Sequence, residues 1–162
     1  MIRHIVAIDT KQGMAKDHGM PPWKLTRDEA YFNEQTLRDG GQVLMGKKTF
    51  IEALHNHPLK DRQNYVVTRD PSPVPGAIVI NDLSGFINDW PADRVLWIIG
   101  GSEIFAQTIK QANELYITEI DGDFGCDKFY PEYRDEFELV NDGEPQTENG
   151  ITYRFRIYQP KS

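Results

Sequence analysis

Val95-Leu96-Trp97-Ile98-Ile99-Gly100-Gly101-Ser102 is the stretch from which the rest of the chain can be read. Five consecutive apolar residues give a strand no polar face, and such a strand is stable only where helices cover both sides of its sheet. The stretch therefore belongs at the centre of a largely parallel sheet. Gly100 and Gly101 end it, and Ser102 is a good N-cap for a helix predicted over Ser102–Lys110. A central strand that runs through two glycines into a helix start offers free backbone N–H donors and no obstructing side chains. It does so at the strand end where open α/β sheets bind ligands. Plain tight packing accounts for strand-Gly-Gly-helix equally well from this segment alone.

Working outward, short β-branched or aromatic runs bounded by Gly, Pro, Asn or Asp predict strands at Ile2–Ile8, Gln42–Met45, Asn64–Thr68, Ala77–Ile80 and Leu115–Ile120. Helical patterns fall between them at Thr26–Leu37, Lys48–Leu54 and Leu83–Trp90. Thr26-Arg27-Asp28-Glu29 reads as a capping box, with Thr26 as N-cap. After Ile120 the helical pattern stops, and Glu136–Asn141 and Ile151–Gln159 flank a Gly143–Gly150 turn region as a hairpin. The expected fold is a single α/β domain over 1–162, with a mostly parallel central sheet, helices on both faces and a C-terminal antiparallel hairpin.

Composition narrows the function. Hydrophobic residues make up 39% of the 162 residues, enough for a core without metal or disulfide staples. Lys and Arg number 18 against 25 Asp and Glu, and the net charge of −7 repels a phosphate backbone, so nucleic acid is not the expected partner. No apolar run approaches the about 20 residues that span a bilayer. One cysteine, Cys126, makes no intrachain bridge, and the apolar start is too short for a signal peptide. A cytoplasmic protein is expected, with a small-molecule ligand, no membrane and a monomeric state.

Gly41-Gln42-Val43-Leu44-Met45-Gly46-Lys47-Lys48 fits the spacing of a phosphate loop until Lys48 replaces the Ser or Thr that holds magnesium. Gln42–Met45 is also strand-forming, so a nucleotide-triphosphate site is rejected. Gly46, Lys47, Lys48 and Thr49 remain as an anion site at a strand end, or as an exposed basic turn. Thr68-Arg69 closes a third strand with a hydroxyl and a cation. Asp28 lies in the first turn of its helix, where the dipole favours an acid whatever the function. Phe32, one turn on, makes that face aromatic, and a carboxylate there could pair with an amidine-like heterocycle. Seventeen residues, Asp9–Leu25, separate the first strand from this helix, an abnormal length that signals function or disorder, and they carry Met20 and Trp23. His55-Asn56-His57 lacks the company of a metal site, His4 and His18 are scattered, and Cys126 has no evident base.

These segments together resemble the dihydrofolate reductase family along nearly the whole chain. The resemblance rests on Ile5 and Ala7 in the first strand, Met20-Pro21-Pro22-Trp23-Lys24-Leu25, Asp28 with Phe32, and Met45-Gly46-Lys47-Lys48-Thr49-Phe50. It continues through Arg62-Gln63-Asn64, Thr68-Arg69, Ile99-Gly100-Gly101, Leu115-Tyr116-Ile117-Thr118 and Cys126-Asp127-Lys128-Phe129-Tyr130-Pro131. It implies NADPH-dependent reduction of 7,8-dihydrofolate. Asp28, Trp23, Met20 and Thr118 would serve the chemistry. Ile5 and Phe32 would wall the pterin together with Leu54 or Ala53, between which the sequence does not choose, and Arg62 would take the substrate's α-carboxylate. Lys47, Lys48 and Arg69 would surround the cofactor's 2′-phosphate. Gly100, Gly101, Ser102 and Thr49 would take its pyrophosphate. The implied cofactor set also includes Ala7, Met14, Ala15, Gly19, Gly46, Thr68, Ile99, Glu103, Ile104 and Phe105, with the Asp9–Leu25 segment as a lid. The chain departs from the family pattern in the extra Pro22, in Lys47 for Arg, in Ala15 for a loop glycine and in Glu103 at a helix start. Alternative readings are the related pyrimidine reductase of riboflavin synthesis, which lacks the acid-plus-aromatic helix, and an idle NADPH or folate binder.

Overall fold

Side chains alternate between the two faces of a strand, and here both faces are apolar. The computed structural model describes residues 1–162. In chain order the elements are β1 (Ile2–Ile8), β2 (Gly13–Ala15), α1 (Thr26–Leu37), β3 (Gln42–Gly46), α2 (Lys47–Glu52), β4 (Gln63–Val67), β5 (Ile78–Ile80) and α3 (Leu83–Asp89). They continue with β6 (Leu96–Gly100), α4 (Ser102–Thr108), β7 (Glu114–Ile120), β8 (Lys128–Phe129), β9 (Phe137–Asp142), β10 (Gln146–Glu148) and β11 (Ile151–Pro160). Nine strands form one sheet in the order β10-β11-β7-β1-β6-β3-β4-β5, with β9 also paired to β11. The pairs from β7 to β5 are parallel, and β11 runs antiparallel to β7, β9 and β10.

Strand β6 sits between β1 and β3, as its double-sided apolarity requires. Leu96 and Ile98 face one core with Ile2, Ile8, Leu44 and Leu115, which α3 and α4 cover through Ile87, Ile104 and Phe105. Trp97 faces the other core with Ile5, Val43, Met45 and Tyr116, where Tyr31 and Phe32 of α1 and Phe50 of α2 pack. Leu96, Trp97 and Ile98 are completely buried, each stabilising the fold by roughly 1.5–3 kcal/mol or more. The α1 face of the sheet is the one that carries the candidate acid.

Four expectations change in detail. Thr26 is not the N-cap of α1. Leu25 takes that place with no side-chain cap, because its side chain is drawn into a small core with Trp23, Ile120 and Tyr153. The capping box is replaced from outside: the Glu148 carboxylate accepts from Thr26 N–H at 2.8 Å, Thr26 Oγ1 at 2.9 Å and Arg27 N–H at 3.3 Å. An anion at a helix N-terminus satisfies the same orphan donors and meets the positive end of the dipole. Glu148 belongs to β10, which lies inside the expected turn region, so the C-terminal hairpin has a third strand. The Asp9–Leu25 segment is not a bare loop either, since β2 pairs with β8. The helix after Ser102 tightens into a 3-10 turn over Ile109–Gln111, ahead of the following strand.

His4, scattered in sequence, is fully buried in β1. Thr108 Oγ1 donates to Ile104 O at 2.7 Å and so accepts from His4 Nε2, 2.8 Å away. Nδ1 then accepts from Tyr130 Oη at 2.8 Å. Burial lowers the His4 pKa to about 3, against an ordinary 6.5. Between those values the unfolded chain binds a proton that the folded chain refuses, so the stability contributed by His4 is complete above pH 6.5 and is lost as pH falls. The difference in unfolding free energy between wild type and His4→Gln should therefore fall by about 1.4 kcal/mol per pH unit below pH 6.5 in urea titrations. A pH-independent difference would show that His4 is not held neutral.

Candidate active site

Strands β6, β3 and β4 are neighbours and parallel, so their C-terminal ends lie side by side. That brings three separate sequence motifs to one rim: Ile99-Gly100-Gly101-Ser102, Gly46-Lys47-Lys48-Thr49 and Thr68-Arg69. Gly100 has φ +139°, a conformation side chains rarely adopt, and a Cβ on Gly101 would stand 3.0 Å from Thr49 Oγ1. The glycines thus keep a backbone cradle open beside a hydroxyl. Ile104 and Phe105 are buried behind the cradle, whereas Glu103 is exposed. Lys47 is already paired, its Nζ donating to Asp70 Oδ2 at 3.1 Å, while Lys48 projects into solvent and Arg69 is exposed at the end of β4.

On the α1 face, Thr118 Oγ1 donates to Asp28 Oδ1 at 2.7 Å, joining helix to sheet. Thr118 lies opposite Ala7 in the β1–β7 register, and Ile5 opposite Tyr116. Burial pushes the Asp28 carboxyl up to about 6; the Thr118 hydroxyl opposes the shift, and the negative charges of Glu29 and Glu148 add to it. Phe32, one turn on in α1, and Leu54 both pack against the apolar cluster that contains Ile5, whereas Ala53 does not belong to it. Arg62 bridges to α1: Nη1 donates to Thr36 Oγ1 at 2.8 Å and Asn33 Oδ1 at 3.1 Å, and Nε to Lys60 O at 2.9 Å. Nη2 has no hydrogen-bond partner within the chain.

The long segment places its residues unevenly. Trp23 is buried edge-on to Phe124, ring centroids 5.5 Å apart, with Ala7 in the same small core. Ala15 is buried in β2 and Met14 packs on the larger core, but Met20 is 43% exposed. Gly19 has φ +74°. Asp9 is a residue that pattern reading missed. Its buried carboxylate accepts from Lys11 N–H at 2.9 Å, Gly13 N–H at 2.8 Å and Phe124 N–H at 3.0 Å. One side chain thus stitches the Asp9–Leu25 segment to the 121–127 loop, and Asp127 N–H donates to Ala15 O at 2.9 Å below it. The signal was an acid directly after an apolar strand. Burial and Asp9 push the Cys126 thiol up to about 11, which makes it inert rather than nucleophilic.

Because the folded chain holds the Asp28 proton more tightly than the unfolded one, ionising Asp28 costs stability. The cost is absent below pH 3.8 and complete above about pH 6. Asp28→Asn, which keeps the acceptor for Thr118, should raise unfolding free energy at pH 7.5 by roughly 1–3 kcal/mol. The gain should fade as pH drops to 4. Equal stabilities at pH 7.5 would rule out a carboxyl that resists ionisation.

Comparison with known proteins accords with this geometry. Residues 1–160 match the family model described as dihydrofolate reductase. Dihydrofolate reductase from Bacillus subtilis is 32% identical, covering 100% of this chain and 96% of its own. The enzyme from Gallus gallus is 35% identical over 98% of this chain and 95% of its own. The structure of dihydrofolate reductase from Enterococcus faecalis complexed with NADP(H) superposes with a TM-score of 0.87 at 26% identity, covering 100% of this chain and 97% of that one. With its acid-and-threonine pair on one sheet face and its glycine cradle on the adjoining rim, the chain belongs to the dihydrofolate reductase family.

Proposed function

We propose that this protein reduces 7,8-dihydrofolate to tetrahydrofolate with NADPH, as a single-domain, monomeric, cytoplasmic enzyme. The observation that carries the reading is the half-buried Asp28 carboxylate, held by Thr118 and flanked by Ile5, Phe32 and Leu54. A carboxylate has two oxygens and so can accept two parallel N–H donors from a pterin, from its amino group and adjacent ring nitrogen, while the apolar walls take the ring faces. Thr118 occupies one lone pair of Oδ1 and fixes the carboxylate plane. A carboxyl that titrates near 6 is mostly ionised at neutral pH, which suits the anchor, yet it takes up a proton readily enough to promote protonation at N5 through solvent. Trp23 and Met20 would limit the water that reaches this corner, and the Asp9 node would hold the lid segment's base.

The rim fits a phosphorylated dinucleotide. The open cradle at Gly100 and Gly101, which a Cβ at Gly101 would crowd, suits a pyrophosphate, with the Thr49 hydroxyl and the Ser102 N–H beside it. Lys47, Lys48 and Arg69 would hold the 2′-phosphate, whose charge needs local cations in a chain of net charge −7. When bound, NADPH supplies the hydride that reaches pterin C6. Ala7, Met14, Ala15, Gly19, Gly46, Thr68, Ile99, Ile104 and Phe105 would complete the cofactor's surroundings, and Arg62 Nη2 would take the substrate's α-carboxylate.

Asp28→Asn should lower kcat with dihydrofolate at pH 7 by about 100-fold or more, with part of the loss recovered at acid pH where solvent supplies the proton. Wild-type turnover at pH 7 would overturn the assignment of Asp28. Arg62→Leu should raise KM for dihydrofolate by at least about tenfold with kcat changed less, because the tail contact is remote from the reacting atoms. Equal losses in kcat and kcat/KM would argue against that role.

A further inference from the structure

Asp70 directly follows Thr68-Arg69, inside the group of cations assigned to the 2′-phosphate, and the reductase reading gives an acid no place there. It is held firmly. Oδ1 accepts from Ser72 N–H at 2.9 Å, and Oδ2 accepts from Lys47 Nζ at 3.1 Å. Its backbone N–H donates to Thr68 Oγ1 at 3.1 Å, and Asn81 Nδ2 ties down the turn by donating to Thr68 O at 2.7 Å and Asp70 O at 3.3 Å. The Ser72 and Lys47 hydrogen bonds keep the carboxyl well below its ordinary range, so it is ionised at every working pH.

We propose that Asp70 is a specificity-determining residue of the cofactor site, a fixed counter-charge on Lys47 that narrows the preference for NADPH over NADH. The inference rests on the cofactor reading above. A 2′-phosphate arriving at Lys47 must either displace Asp70 or sit beside a second anion. The ribose 2′-hydroxyl of NADH meets neither penalty and can donate a hydrogen bond to a carboxylate, which is how acidic residues select NAD in other dinucleotide sites. Lys48 and Arg69 remain to favour the phosphate, so the rim holds groups suited to each cofactor. The placement of the turn, not side-chain chance, keeps the acid there.

The test compares wild type with Asp70→Asn by direct titration. NADPH and NADH are followed by quenching of tryptophan fluorescence, and adenosine 2′,5′-bisphosphate and adenosine 5′-phosphate by calorimetry. Asp142→Asn serves as control, removing one charge from an exposed ion pair with Arg156 at the opposite edge of the sheet. In Asp70→Asn, NADPH and the bisphosphate should bind about three- to tenfold more tightly at low salt, with NADH and the monophosphate unchanged or weaker. The gain should shrink in about 1 M salt. Asp142→Asn should shift none of the four. Equal shifts for both cofactors, an unchanged NADPH affinity, or weaker NADPH binding in Asp70→Asn would overturn the role of Asp70 while leaving the reductase reading intact. Wild-type protein that binds neither cofactor would overturn that reading and this inference with it.

Discussion

A strand with no polar face has only one stable position, and the arrangement of the ligand site follows from placing β6 there. Leu96 and Ile98 demand helices on one side and Trp97 demands them on the other, so β1 and β3 run parallel beside β6, with β7 and β4 parallel beyond them and the helices as crossovers. Parallel strands put all their C-terminal ends on one rim. Gly100, Gly46 and Thr68 share that rim because their strands are adjacent, although they come from distant parts of the chain. Once the central strand is fixed, the convergence of glycines, cations and hydroxyls follows from topology.

The same geometry sets a conflict at Asp28. The helix start favours an acid, but the sheet face it overlies is apolar, and a carboxylate held there resists ionisation. Thr118 offers one hydroxyl, too little to compensate the lost water. A fold selected only for stability would place Asn or an apolar residue at this position. An acid kept here weakens the folded state at neutral pH, because burial outweighs the single hydroxyl bond. His4 lies on the opposite sheet face and shows the contrasting case: a buried polar group with both ring nitrogens hydrogen-bonded, and no access to a ligand.

How much the sequence disclosed depended on whether a feature was local. The central strand, the helix carrying Asp28 and the strand-end motifs were legible, because apolar runs and glycine punctuation act over a few residues. Features that required a partner elsewhere in the chain were hidden. Thr26 and Glu29 have the spacing of a capping box, yet Glu148 supplies the cap from 122 residues away, since Leu25 gains more from burial than Thr26 gains from capping itself. His4 looked incidental because Tyr130 and Thr108 are remote in sequence. Ala53 and Leu54 could not be separated by pattern, and the packing of Leu54 on the cluster that contains Ile5 appears only in three dimensions. The long Asp9–Leu25 segment was recognisable by its length, but not its anchor.

That anchor holds the Asp9–Leu25 segment firmly at one end and leaves its middle lightly bonded. A carboxylate buried among backbone N–H groups is expensive to disturb, since moving either loop strands a charge without its donors. Asp9 therefore holds Gly13 and Phe124 to the end of β1, and a Cβ on Gly13 would meet Cys126 at 2.5 Å, so the two loops are also locked by shape. Beyond β2 the constraint weakens. Lys16 N–H to Met20 O at 2.8 Å closes a small turn whose outer residues, Asp17 to Met20, are mostly exposed. The segment is thus clamped at its base and thinly held at its tip, where few bonds join it to the core.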